Sequence, residues 1–284
     1  MTIIDAHHHV WDLSVRDQSW ISGPDLAPLR RDFTIADLEP VAAAAGVTAA
    51  ILVQTITVPE ETPEFLAMAA ASPLIAGVVG WVDLTAPDVG DRLAELWSAD
   101  GGASLVGIRH QVQAESDPDW LTRPNVLRGL ATVADAGLAY DLLVLPHQLP
   151  AATRAAAMVP GLTFVLDHLG KPPIADGDTE PWASAVSELA SLPNTVCKLS
   201  GMVTEADWGK WTVDDLRPYF DVVLDAFGPD RLMFGSDWPV STLAASYAEV
   251  VAAAGELTAN LSQSEQAAIF AGTATRVYQL QGRP

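Results

Sequence analysis

The chain has 284 residues, of which 49% are hydrophobic and only 18% charged, so it can build one large packed core and no stretch of it reads as disordered. Fifteen Lys and Arg stand against 36 Asp and Glu, a net charge of −21 that repels nucleic-acid backbones and anionic lipid surfaces and argues against either as a partner. No apolar run reaches the roughly 18 residues of a membrane span, and no basic region followed by an apolar segment opens the chain, so a cytoplasmic protein without a signal peptide is expected.

In chain order, short apolar and β-branched runs fall at Ile3 to His9, Ala49 to Ile56, Ile75 to Leu84, Leu105 to Val112, Ala139 to Leu145, Leu162 to His168, Thr195 to Met202 and Arg231 to Trp238. Each is bounded by Gly, Pro or polar residues, which predicts eight strands. Helical periodicity or Ala-rich propensity marks Thr34 to Ala45, Pro63 to Ala71, Val89 to Ala99, Asn125 to Ala136, Leu149 to Met158, Trp182 to Leu192 and Val213 to Phe227. Two further helical stretches, Leu243 to Gly255 and Ser262 to Gln281, close the chain. Eight strand-helix units in tandem, within a length near the roughly 250 residues of such folds, predict an α/β fold of the (β/α)8 TIM-barrel type, with residues 1–284 as one domain.

Chemistry in such barrels sits at the C-terminal ends of the strands. There the sequence places His7 and His9, Arg109 and His110, His147, Asp167 and His168, Lys198, and Asp237. Residues two apart on a strand share a face, so His7 and His9 project together and His8 points away. Two imidazoles joined by His168 and the Asp237 carboxylate match the ligand preferences of one divalent metal, zinc or manganese. Such a metal lowers the pKa of bound water, and Asp237 would take the proton as that water attacks a carbonyl; His168 is then a ligand or the group that polarises the carbonyl. Neutral histidines also fill half-buried sites, and the case rests on the conjunction of four residues from three strand ends. The single cysteine, Cys197, excludes an intrachain disulfide and reads as a buried strand thiol.

The strings Ile4-Asp5-Ala6-His7-His8-His9-Val10-Trp11-Asp12, Val53-Gln54, Gly77 to Leu84, Gly107-Ile108-Arg109-His110, Asp167-His168-Leu169-Gly170-Lys171-Pro172, Cys197 to Gly201 and Met233 to Pro239 resemble the amidohydrolase-2 branch of the amidohydrolase superfamily. Within it they are most similar to the L-fucono- and L-rhamnono-lactonases and related sugar lactone hydrolases. The resemblance implies hydrolysis of a sugar-acid lactone, with His7, His9, His168 and Asp237 as catalytic residues and Asp237 as general base. No lysine ends the fourth strand and no plain histidine the fifth, so the two-metal form with a carbamylated lysine is not supported. At most one metal is implied, and some lactonases of this branch work with none. Homo-oligomers are common in the family.

Substrate contacts are expected from Arg109 and His110, from Lys171 beside the mouth, and from the apolar faces of Trp81 and Trp238. Arg109 could equally form a buried pair with an aspartate, His147 could face the substrate or cap its loop, and Lys198 is expected in a salt bridge to Glu205 or Asp167. Asp167, next to the inward His168, is expected to point outward in a structural role. Two rival functions are a metal-dependent decarboxylase of the same branch and a non-catalytic carbohydrate-binding barrel.

Overall fold

The computed structural model describes residues 2–280. Eight parallel strands pair in sequence order: β1 (Ile3–His8), β2 (Val47–Val53), β3 (Ile75–Gly80), β4 (Leu105–His110), β5 (Ala139–Leu142), β6 (Phe164–Leu166), β7 (Thr195–Leu199) and β8 (Leu232–Phe234). The ring closes through backbone bonds from Asp237 N to His7 O (2.8 Å) and from His9 N to Trp238 O (2.7 Å). The helices between and after the strands are α1 (Ile35–Ala44), α2 (Glu61–Ala71), α3 (Val89–Ser98), α4 (Pro124–Asp135), α5 (Leu149–Met158), α6 (Trp182–Ala190), α7 (Met202–Glu205), α8 (Val213–Phe227), α9 (Tyr247–Leu257), α10 (Gln263–Ala267) and α11 (Thr273–Val277). This is the expected (β/α)8 barrel, and no helix among the described residues is long and apolar enough to cross a membrane.

Both faces of the sheet are buried, as a parallel barrel requires. Ile51, Val79, Val106, Val165, Val196 and Met233 pack with one another inside the barrel, while their neighbours Leu52, Val78, Leu105, Leu166, Cys197 and Leu232 join the larger core. That larger core includes Leu38, Phe65 and Phe220 from the surrounding helices. Ala274 and Val277 of α11 and Tyr278 just after it pack against the residues inside the barrel. Cys197 is fully buried, as its apolar flanks suggest.

Several elements end before their apolar runs do. The runs to His168, Met202 and Trp238 lose extended geometry early because His168, Gly201 and Asp237 all take positive φ (53°, 64° and 56°), which turns the chain at the barrel mouth. The segment after Leu243 becomes helical only at Tyr247, where Ser246 accepts from Glu249 N in a capping box. The closing stretch from Ser262 divides into α10, a π-helical turn (Ala268–Gly272) and α11; its predicted end, Gln281, lies outside the described residues. The sequence patterns also missed α7, one turn long.

Asp5 ties β1 to the segment after β8. One of its oxygens accepts from Ser236 N (2.8 Å) and His7 N (3.1 Å), the other from Ser236 Oγ (2.6 Å) and Tyr247 Oη (2.9 Å). Asp5 is fully buried, and burial raises its pKa against those four donors. Asp5→Ala leaves these donors without their acceptor in a dry interior and is expected to cost about 3 kcal/mol. Urea unfolding measures this, and a loss within the scatter of surface substitutions would contradict the assigned role.

Candidate active site

At the C-terminal rim, the residues two positions above the apolar layer of β5, β6 and β7 are polar: Asp141 above Ala139, Asp167 above Val165 and Lys198 above Val196. All three are fully buried. The period of two therefore turns Asp167 inward, and the expectation that it faces outward is corrected here. His168 reaches the same space for a different reason, because its positive φ ends the alternation of β6. His7 comes inward through a register shift between Asp5 and His8, where three steps along β1 oppose two along β2. His9 follows on the same side. His8 is buried with both ring nitrogens lacking a partner among the described residues.

His9, His168 and Asp237 line a cavity of about 300 Å³, and His7, fully buried, lies behind them against His9 and Asp237. The Nε2 atoms of His7, His9 and His168 lie 3.8, 3.6 and 3.8 Å from Asp237 Oδ1, and His7 Nε2 is 3.1 Å from His9 Nε2. A tetrahedral zinc with bonds of about 2.0–2.1 Å would space its ligand atoms roughly 3.3–3.4 Å apart, so the set is close to that size. The remaining ring nitrogens face groups that can hold a ligand imidazole: His9 Nδ1 lies 2.7 Å from Val53 O, His168 Nδ1 2.9 Å from Ser200 Oγ, and His7 Nδ1 3.3 Å from Asp167 Oδ1. A carbonyl only accepts, so His9 carries its proton on Nδ1 and turns the Nε2 lone pair into the cavity. His7, His168 and Asp237 each bring one ligand atom within 4.8 Å of the other two, a set that fits a divalent metal, and His9 stands beside that set against His7 and Asp237.

The surroundings keep these imidazoles neutral. Burial lowers His7 well below the ordinary histidine value, His9 to about 3 and His168 to about 4. Burial raises Asp237, opposed by the nearby His168, Lys171 and Arg109. For Asp167 burial works upward too, but Lys198, His7 and Arg109 around it hold its carboxyl well below the usual range.

Arg109 is buried and fully engaged. It donates from Nε and Nη2 to Gln54, and from Nη1 to Asp167 Oδ2 at 3.1 Å, with His7 Nε2 3.3 Å from Nη1. Lys171 pairs with Glu205 at 3.2 Å, and both line the cavity. Lys198 pairs with Asp141 and Asp167, not with Glu205.

His110 is turned away from this cavity: its Nδ1 accepts from Trp81 Nε1 (3.0 Å), its Nε2 donates to Glu115 (2.8 Å), and its ring stacks on Trp120. Trp81 and Trp238 are not among the cavity-lining residues, and Trp238 packs edge-on against Phe33. His147 is exposed in a short turn (Pro146–Gln148), also off the cavity wall. The walls come instead from Trp20 and Leu26 of the long loop after β1, from Thr55, Gln111 and Gln113, and from Trp208. Sequence reading missed Gln54, Thr55, Gln111 and Gln113; the one signal available was that each follows a strand end.

The sequence profile of the amidohydrolase family matches residues 4–280. The chain is 42% identical over 288 aligned residues to an L-fucono-1,5-lactonase of Burkholderia multivorans, covering 98% of this chain and 96% of that one. It is 40% identical to an L-fucono-1,5-lactonase of Burkholderia ambifaria, covering 98% and 95%. Its fold matches the crystal structure of a Burkholderia multivorans amidohydrolase with bound zinc at a TM-score of 0.92 and 42% identity, covering 98% of this chain and 99% of that one.

Gly201 provides a stability test of this packing. A Cβ there would lie 2.6 Å from His168 Nδ1, whereas at Gly177, with a similar positive φ, it would meet nothing within 4 Å. Gly177→Ala should cost about 1 kcal/mol of backbone strain alone. Gly201→Ala should cost about 3 kcal/mol, because the His168 ring must also move. Equal losses in urea unfolding would show that His168 is not held against Gly201.

Proposed function

We propose that this chain, which belongs to the amidohydrolase family, opens a sugar-acid lactone, of the L-fuconolactone or L-rhamnonolactone kind, by attack of water on the ring ester carbonyl. The observation that carries this reading is the group of three neutral imidazoles within 4 Å of one buried carboxylate, of which His9, His168 and Asp237 line the cavity. The curated Burkholderia lactonases, alike over nearly the whole chain, support the substrate class.

Asp237 serves as general base. Burial raises its pKa, which makes it a stronger proton acceptor, and the nearby His168, Lys171 and Arg109 oppose that rise. His9 turns a lone pair into the cavity and cannot donate, so a hydrogen bond to the developing oxyanion of a bound lactone would come from an Nε2–H of His168. Ring opening releases the hydroxyl and leaves an aldonate, and the proton taken from water returns to the leaving oxygen. A divalent cation, zinc or manganese, held by His7, His9, His168 and Asp237 would supply Lewis-acid polarisation of the carbonyl and a lowered water pKa. Residues that favour a neutral polyol line the walls: Thr55, Gln111 and Gln113 offer hydrogen bonds, and Trp20 and Trp208 offer apolar faces.

The decarboxylase reading is disfavoured by charge. Among the described lining residues the cations Arg109 and Lys171 are both committed, to Asp167 and Gln54 and to Glu205. A substrate carboxylate would find no uncommitted side-chain cation among these lining residues, in a chain of net charge −21.

Acid release from a panel of five- and six-membered aldonolactones, corrected for spontaneous hydrolysis, tests the function. Asp237→Asn should lower kcat about a thousandfold. Unchanged turnover in that variant, or no acid from any lactone, would contradict the reading. Lys171→Gln removes a positive charge that lowers the Asp237 pKa, so the acid limb of kcat/KM should move to higher pH. A shift to lower pH would place the base elsewhere.

A further inference from the structure

Beneath the cavity floor, Lys198 is fully buried and its three N–H groups face three partners. Nζ lies 2.5 Å from Asp141 Oδ2, 3.0 Å from Asp167 Oδ1 and 3.1 Å from His7 Nδ1. The contact to His7 has hydrogen-bond geometry. The contact to Asp167 Oδ1 does not, and that oxygen is otherwise without a hydrogen bond among the described residues. Asp141 is itself anchored, because Tyr278 Oη lies 3.0 and 2.9 Å from its two oxygens and brings the C-terminal helix under the site. Nothing in the lactone reaction requires an ammonium here, and burying one is costly unless its partners are well placed.

An ammonium that donates to His7 Nδ1 needs a lone pair there, so the imidazole proton must sit on Nε2. That tautomer explains the 3.1 Å approach of His7 Nε2 to His9 Nε2. His9 is committed to Nδ1–H by Val53 O, so its Nε2 is a lone pair, and two facing lone pairs at this distance would repel. A proton on His7 Nε2 turns the contact into a hydrogen bond. Arg109 Nη1 donates one of its two N–H groups to Asp167 Oδ2, and the other lies 3.3 Å from His7 Nε2 and competes for a lone pair there; the Lys198 contact to Nδ1 is the shorter, at 3.1 Å, and a proton on Nε2 is the arrangement that also satisfies His9. The competing acceptor is Asp167 Oδ1, 3.3 Å from His7 Nδ1. If His7 donated Nδ1–H to that oxygen, Nε2 would become the metal-ligating lone pair.

We propose that Lys198 is a positioning residue that fixes the tautomer of His7, and with Asp167 decides whether the site presents an imidazole N–H or a metal-ligating lone pair. With no cation, Lys198 donates to Nδ1 and His7 offers Nε2–H to His9, which lines the cavity. When a cation claims Nε2, the proton relocates within the ring to Nδ1 and is accepted by Asp167, while Lys198 keeps its pairs with Asp141 and Asp167. No proton is gained or lost overall. The inference deepens the active-site reading above and explains how one set of residues serves both a metal-bound and a metal-free site.

Imidazole nitrogen NMR on the whole chain reads the tautomer directly. In chelator, His7 should be Nε2–H and His9 Nδ1–H; with one equivalent of zinc, His7 should become Nδ1–H. Nδ1–H at His7 under both conditions would overturn the proposal. Lys198→Met, which keeps length and removes the donor, should show His7 as Nδ1–H even in chelator and should bind zinc roughly tenfold tighter in a competition assay. Its kcat in chelator should fall roughly tenfold with KM little changed, since the group acts through His7. An unaltered tautomer in a folded Lys198→Met would also overturn the proposal, and should that variant not fold, the wild-type comparison decides alone. Neither the tautomer nor the zinc affinity depends on turnover, so a chain that opens no lactone would overturn the proposed function and leave this result standing.

Discussion

The backbone bonds from Asp237 N to His7 O and from His9 N to Trp238 O close the barrel and assemble its chemistry in the same act. They join the first strand to the turn after the last, which places the two β1 imidazoles against the β8 carboxylate. Every other feature of the site depends on that register. Asp5 secures it from below through Ser236 and Tyr247, and a Cβ at Gly235 would lie 2.8 Å from His7 Cβ, so the two segments could not approach with a larger residue there. Fold closure and catalytic geometry are one constraint in this chain, and a change that loosens the seam should damage both.

The second constraint is charge burial. Asp141, Asp167, Lys198 and Arg109 are all nine-tenths or more buried within one network, whose desolvation cost is offset by mutual pairing and by Gln54 and Tyr278. Such a network is expensive as a stability device and useful as an orienting one. It leaves the cavity above it with neutral imidazoles, the Asp237 carboxylate, the paired Lys171 and Glu205, and no uncommitted cation among the described lining residues, a surface suited to an uncharged ester within a polyol.

Much of this was legible in the sequence because period-two patterns survive in buried strands. The eight strands and the shared side of His7 and His9 follow from such patterns, whereas the inward turn of that pair comes from the register shift between Asp5 and His8. What failed was alternation carried across strand ends. His168 and Asp237 adopt left-handed backbone, which no apolar pattern signals, and assuming regular alternation through His168 put Asp167 on the wrong side. Reading the period from Val165 instead would have turned Asp167 inward and, from Val196, Lys198 with it. The cavity walls were less legible still. Trp20 and Leu26 arrive from a long loop with little regular structure, while Trp81 and His110, adjacent to strand ends, are drawn off by Trp120 and Glu115.

Hydrolysis of an aldonolactone in heavy-oxygen water, followed by mass spectrometry of the product, tests the central claim most directly. Attack of water on the ester carbonyl, with Asp237 as base, places one heavy oxygen in the new carboxylate and none on the released hydroxyl. Label on the hydroxyl carbon, or no aldonate formed from any lactone, would contradict the account.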